Sequence, residues 1–106
     1  VSRTRLPDRR PSMTMHFVYE ANTYSVTLGF DVANDRIGEV FTHGAKIGSA
    51  MERLLDDACV ALSLLLQHGV SPDALTASMG RIGDGETPAS IIGALADLIA
   101  RESRQQ

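Results

Sequence analysis

Tyr24-Ser25-Val26-Thr27-Leu28-Gly29-Phe30 is the stretch on which the fold turns. Tyr24, Val26, Leu28 and Phe30 alternate with Ser25, Thr27 and Gly29, the period of two that sets one side of a strand against a core. Upstream, Met15, Phe17 and Tyr19 alternate with His16, Val18 and Glu20, which predicts a preceding strand, with Ala21-Asn22-Thr23 as the tight turn. Downstream, Asp31 through Arg36, centred on Asn34-Asp35, reads as a hairpin loop. Ile37 to Thr42 then gives a third strand with Val40 and Phe41 as its bulk. Three consecutive strands with short connections imply an antiparallel meander.

Beyond Thr42 the period changes. Gly44-Ala45-Lys46-Ile47-Gly48-Ser49 crosses into a helix, with Ser49 as N-cap and Glu52 completing a capping box. Met51, Leu54, Leu55, Ala58, Leu62, Leu65 and Leu66 form one helical stripe, while Cys59, Val60, Ala61 and Leu64 fill the other side. A helix apolar nearly all round is expected to be buried on several sides, by the sheet and by further helices or a second subunit. Gly69 ends it as a left-handed cap, followed by Val70. Ser71-Pro72-Asp73 opens a short second helix ending near Met79-Gly80. Gly83-Asp84-Gly85 reads as loop, and Thr87-Pro88 repeats the cap-plus-proline signal for a third helix striped by Ile91, Ile92, Leu95, Leu98 and Ile99. The fold expected is α+β, a three-stranded antiparallel meander followed by three helices, with the long apolar helix packed on the sheet. Residues 1–13 are expected to form an extended basic arm, 14–102 a single domain and 103–106 a polar tail.

At 106 residues the chain is the size of one domain. Aromatic residues make up only 5%, with no Trp, so Leu, Ile, Val and Ala must build the core. The net charge of −3 is unevenly placed: Arg3, Arg5, Arg9 and Arg10 oppose only Asp8 in the first eleven residues, whereas the remainder is strongly acidic. An acidic body argues against binding nucleic acid over a wide surface. Cys59 is the single cysteine, which excludes an internal disulfide, a multi-thiolate metal site and a CxxC redox pair. That usage, with neither a membrane-length apolar run nor a signal peptide, leads to the expectation of a cytoplasmic protein without membrane association.

Several of these segments together resemble the TSCPD domain family, the C-terminal module of adenosylcobalamin-dependent ribonucleotide reductases that also occurs as small free-standing proteins. Leu6-Pro7-Asp8-Arg9-Arg10-Pro11 looks like the opening of short alphaproteobacterial members. The likeness continues through Tyr24–Asp31, Gly38-Glu39-Val40-Phe41 and Gly44–Ser49. Ala61-Leu62-Ser63-Leu64-Leu65-Leu66-Gln67-His68-Gly69-Val70 carries its most specific part, so that it spans about residue 6 to residue 100. The naming motif Thr-Ser-Cys-Pro-Asp aligns with Gly85-Glu86-Thr87-Pro88-Ala89, where Thr87 replaces Cys and Ala89 replaces Asp. A second family cysteine would fall near Ile82-Gly83-Asp84 and is also missing. The resemblance implies a scaffold without the thiol chemistry of a reductase, keeping at Thr87-Pro88 only a helix cap.

Candidate sites follow from residue type. Gly44, Lys46, Gly48 and Ser49 form the best anion or phosphate candidate, because glycines admit backbone N–H groups to an anion at a helix N-terminus and Lys46 is the only lysine. The Walker A spacing is absent, and a plain crossover turn with an N-cap is the competing account. Arg3, Arg5, Arg9 and Arg10 are candidates for phosphate or partner contact, with Arg9 and Arg10 favoured for packing and Arg3 and Arg5 for solvent. His16, His43 and His68 lack metal-ligand spacing, and Cys59 reads as a small buried hydrophobe. No catalytic residue, metal or cofactor is assigned. The expectation is a non-catalytic accessory or binding module, homodimeric through its apolar helix; the alternative is a nucleotide- or nucleic-acid-binding regulator using the arm and the Gly44–Ser49 loop.

Overall fold

The alternation around Val26 builds the middle strand of a sheet in the computed structural model, which describes residues 2–105; Val1 of the arm and Gln106 of the tail lie outside the described residues. The chain divides into two compact units, one ending at Gly69 and the other beginning at Val70.

In the first unit, β1 (Ser12–Tyr19), β2 (Asn22–Asp31) and β3 (Arg36–His43) form a purely antiparallel sheet in the order β1-β2-β3. Val26, Leu28 and Val40 lie on one face and are fully buried, with Phe17 and Tyr24 continuing that face toward the first turn. The opposite face carries Thr14, His16 and Val18, all exposed, and Phe41 lies on it with nearly half its surface in water rather than in the core bulk expected of it. The turn between β1 and β2 sits at Glu20-Ala21, before the Ala21-Asn22-Thr23 expected, and both residues have positive φ. Such a two-residue turn matches strand twist, and with no glycine in it the sequence carries no signal for its position. At the second hairpin Asp31 is buried, its carboxylate accepting from the N–H and the amide of Asn34.

Helix α1 (Ala50–Gln67) meets the sheet along β3. Leu55, Ala58, Cys59, Leu62 and Leu66 are buried, whereas Met51, Leu54, Val60, Leu64 and Leu65 are exposed. Burial on several sides is therefore not what the helix shows: one stripe is enclosed and its apolar flanks remain open. At its end Gly69, with φ of 90°, donates its N–H to the carbonyl of Leu66 at 3.0 Å, the inner bond of a Schellman turn.

In the second unit, α2 (Pro72–Ser78) starts from the Ser71 cap with Pro72 at its first position. A short hairpin, β4 (Arg81–Ile82) and β5 (Thr87–Pro88), occupies the stretch expected to be loop and cap. Thr87 does not cap a helix. Its N–H and hydroxyl both bond to the Asp84 carboxylate, and α3 (Ile91–Ser103) is capped instead by Ser90, whose hydroxyl accepts from Gly93 N–H at 3.1 Å. Leu75 of α2 and Ile91, Leu95, Leu98 and Ile99 of α3 are buried. Arg81 ties the hairpin to both helices: it grips Asp97 through two nitrogens, at 2.6 and 2.7 Å, and donates to the Thr76 carbonyl and hydroxyl. Among the described residues no helix is long and apolar enough to cross a membrane.

Candidate functional site

The Gly44–Ser49 loop takes its shape from two glycines with positive φ, 114° at Gly44 and 78° at Gly48. A Cβ at Gly44 would come within 3.3 Å of the Thr23 carbonyl, so both the backbone angle and the space call for glycine there. Ser49 caps α1, its hydroxyl accepting from Glu52 N–H at 3.1 Å. The return bond of the capping box is displaced by one residue, because the Glu52 carboxylate accepts from Gly48 N–H at 2.9 Å rather than from Ser49. Ser49 N–H is spent on the Lys46 carbonyl at 3.0 Å, and Arg53 donates to the Gly48 carbonyl. The place where a helix N-terminus would receive an anion thus already holds a carboxylate of this chain. Lys46 is exposed, and among the described residues its side chain has no hydrogen-bond or ion-pair partner and does not line the cleft described below.

Beside this loop a cleft of about 750 Å³ runs between β3 and α1. Phe41, Ile47, Val60 and Leu64 give it apolar walls, Asp56 and Glu52 an acidic rim, and Cys59 and Ser63 line it beneath. Its chemistry arises from how α1 covers the strand edge. The Ser63 hydroxyl bonds to both the N–H of Val40, at 3.0 Å, and its carbonyl, while Gln67 donates to the Gly38 carbonyl at 3.0 Å. One turn earlier, Cys59 lies 3.7 Å from the Thr42 hydroxyl. Four helical residues rise about 6 Å and two strand residues about 6.6 Å, so every fourth side chain of α1 meets every second residue of β3. Ser63 and Gln67 therefore satisfy an edge that would otherwise be open, and Cys59 packs beside it against the Thr42 side chain. Burial pushes the Cys59 thiol up, and hydrogen bonding with Thr42 offsets this only in part, so the sulfur stays protonated at neutral pH.

The arm docks at the other end of the cleft. Arg3 donates to the Gln67 side-chain oxygen at 2.6 Å, Thr4 N–H to the Gln67 carbonyl at 2.8 Å, and Leu6 lies against Gly38. Arg10 forms a two-pronged pair with Glu39, a buried carboxylate, and this raises the Arg10 guanidinium further above its already high range. Arg5 and Arg9 are exposed. Gly38 and Gly44 are six steps apart along the chain, about 20 Å if extended, so Arg3 and the loop line opposite ends of one cleft rather than a common point. Among the described residues no group of three or more His, Cys, Asp or Glu is placed to hold a metal. Ser63, Gln67, Glu39, Arg81 and Asp97 are the residues sequence reading passed over. The contacts with Val40, Gly38 and Arg10, and that between Arg81 and Asp97, span 16 to 29 positions and that of Gln67 with Arg3 spans 64, so no local spacing announces them.

No curated protein and no solved structure gives a significant match. The family model described as the TSCPD domain matches residues 3–103, nearly the whole chain and both of its units. With the docked arm, the meander and the α1 segment all inside that match, this chain belongs to the TSCPD domain family.

Proposed function

We propose that this chain is a non-catalytic accessory and binding module, homodimeric and cytoplasmic, related to the C-terminal domain of adenosylcobalamin-dependent ribonucleotide reductases and serving deoxyribonucleotide or DNA metabolism. The observation that carries the reading is the state of Cys59. Reducing a ribonucleotide requires thiols that react as thiolates and are reached from outside for re-reduction. The one thiol here is buried, bonded to the Thr42 hydroxyl and held protonated. Incubated with adenosylcobalamin, a ribonucleotide and a dithiol, the purified chain is expected to form no deoxyribonucleotide. Turnover that disappears in Cys59→Ala would overturn the reading.

The second reading, a nucleotide- or nucleic-acid-binding regulator, is disfavoured by the Glu52 carboxylate at Gly48 and by the engagement of Arg3 with Gln67 and Arg10 with Glu39. Titration with a labelled single-stranded oligonucleotide and with a nucleoside triphosphate at low salt is expected to show no saturation. Saturable binding that weakens with salt and in Lys46→Ala would put this reading in place of the first.

A further inference from the structure

We propose that β1 pairs edge to edge, antiparallel, with β1 of a second copy of this chain. This deepens the homodimer reading above and rests on it. A sheet ordered β1-β2-β3 has two edges, and α1 covers only the one at β3. Because Val40 turns its N–H and carbonyl away from β2 to Ser63, its partner Leu28 turns its own toward β1. The alternation of an antiparallel ladder then directs Met13, Met15, Phe17 and Tyr19 inward to β2. Ser12, Thr14, His16 and Val18 present their backbone groups outward, and among the described residues the structure records no partner for them.

Open strand edges are ordinarily protected by charge, proline or short length. Ser12–Tyr19 has eight residues, with no Asp, Glu, Lys, Arg or Pro. An acidic or basic partner strand would find no counter-charge along it, whereas a second β1 finds its own complement. Setting Ser12 opposite the partner's Val18 and Thr14 opposite the partner's His16 uses the whole row and forms about eight backbone hydrogen bonds. The same register brings Met13 beside the partner's Phe17, a favourable sulfur–aromatic contact, and Met15 beside the partner's Met15 on the twofold axis. Met13 and Met15 are half-buried at the rim of the apolar face, and pairing completes their cover. Shifting by one step in either direction leaves one of the four outward residues of each strand unpaired, so the register that uses the whole row is the one assigned.

Native mass measurement at micromolar concentration is expected to give twice the chain mass. In Met15→Cys the paired sites are about 4.5 Å apart between Cα atoms, within disulfide range. Mild oxidation should cross-link that variant on the order of a hundredfold faster than Ala61→Cys on exposed α1, since paired sites meet at effectively millimolar concentration. His16→Pro removes an outward N–H that the fold does not use, and is expected to leave the circular dichroism unchanged while halving the mass. A wild-type dimer with Ala61→Cys the faster to cross-link, or with a folded His16→Pro still dimeric, overturns the β1 interface and leaves the homodimer standing. Cross-linking of His16→Cys in preference to Met15→Cys overturns the register. A wild-type monomer overturns both the interface and the homodimer.

Discussion

Gly29 and Glu39 lie opposite one another on β2 and β3, and the glycine leaves the space in which the glutamate side chain lies. A Cβ at position 29 would strike that side chain, which Arg10 holds in place. Gly29→Ala is therefore expected to cost about 1–3 kcal/mol in denaturant unfolding, the usual penalty of overpacking. Combined with Arg10→Ala it should cost less than the two single losses added, because both act through Glu39. Asp97 gives a pH-dependent counterpart. The Arg81 guanidinium first, and the Thr76 hydroxyl after it, hold its carboxyl below the usual carboxylate range. A folded-state pKa below the unfolded value stabilises the fold above about pH 4 and ceases to do so as pH falls through the lowered value. Thermal melts across pH should show Asp97→Asn less stable than the parent at pH 7, with a flatter decline toward pH 2. Neither pairing was legible beforehand, since each joins residues of opposite or unlike type across a distance that only folding closes.

The helix–strand match of α1 on β3 makes its own prediction at the scale of elements. Ser63→Ala leaves the Val40 N–H and carbonyl unpartnered beneath the helix, which should cost about 1–3 kcal/mol and speed amide exchange at Val40 selectively. Uniform acceleration through the sheet would instead indicate loss of packing. The three strands, the Ser49 and Ser71 caps and the Gly69 stop were all readable, because period and cap chemistry are local properties. The enclosed side of α1 was not, since apolar residues surround it and the hydroxyl and amide that choose its orientation look unremarkable in sequence. Thr87-Pro88 misled for a related reason. Threonine before proline is a sound cap signal, yet Asp84 three residues earlier competes for the same hydroxyl and N–H and wins. In the candidate site, the loop's turn and cap were legible, but not that Glu52 would occupy its amide.

For the molecule as a whole, the arm is the part whose contribution is most easily measured. Arg3, Thr4, Leu6 and Arg10 attach it to α1 and β3, a line of contacts reaching from the Gln67 carbonyl to Glu39. Removing residues 2–10 should lower the melting temperature by several degrees, each kilocalorie lost corresponding to about 4–8 °C in a chain of this size. An unchanged melting point would show that these bonds add no net stability. The covered edge of β3 has one more consequence, concerning growth rather than stability. A sheet open at both sides can add neighbours without end and form a fibre, but one sealed by its own helix has a valence of one. By placing Ser63 and Gln67 over β3, this chain ensures that any strand joining its sheet at β1 is also the last.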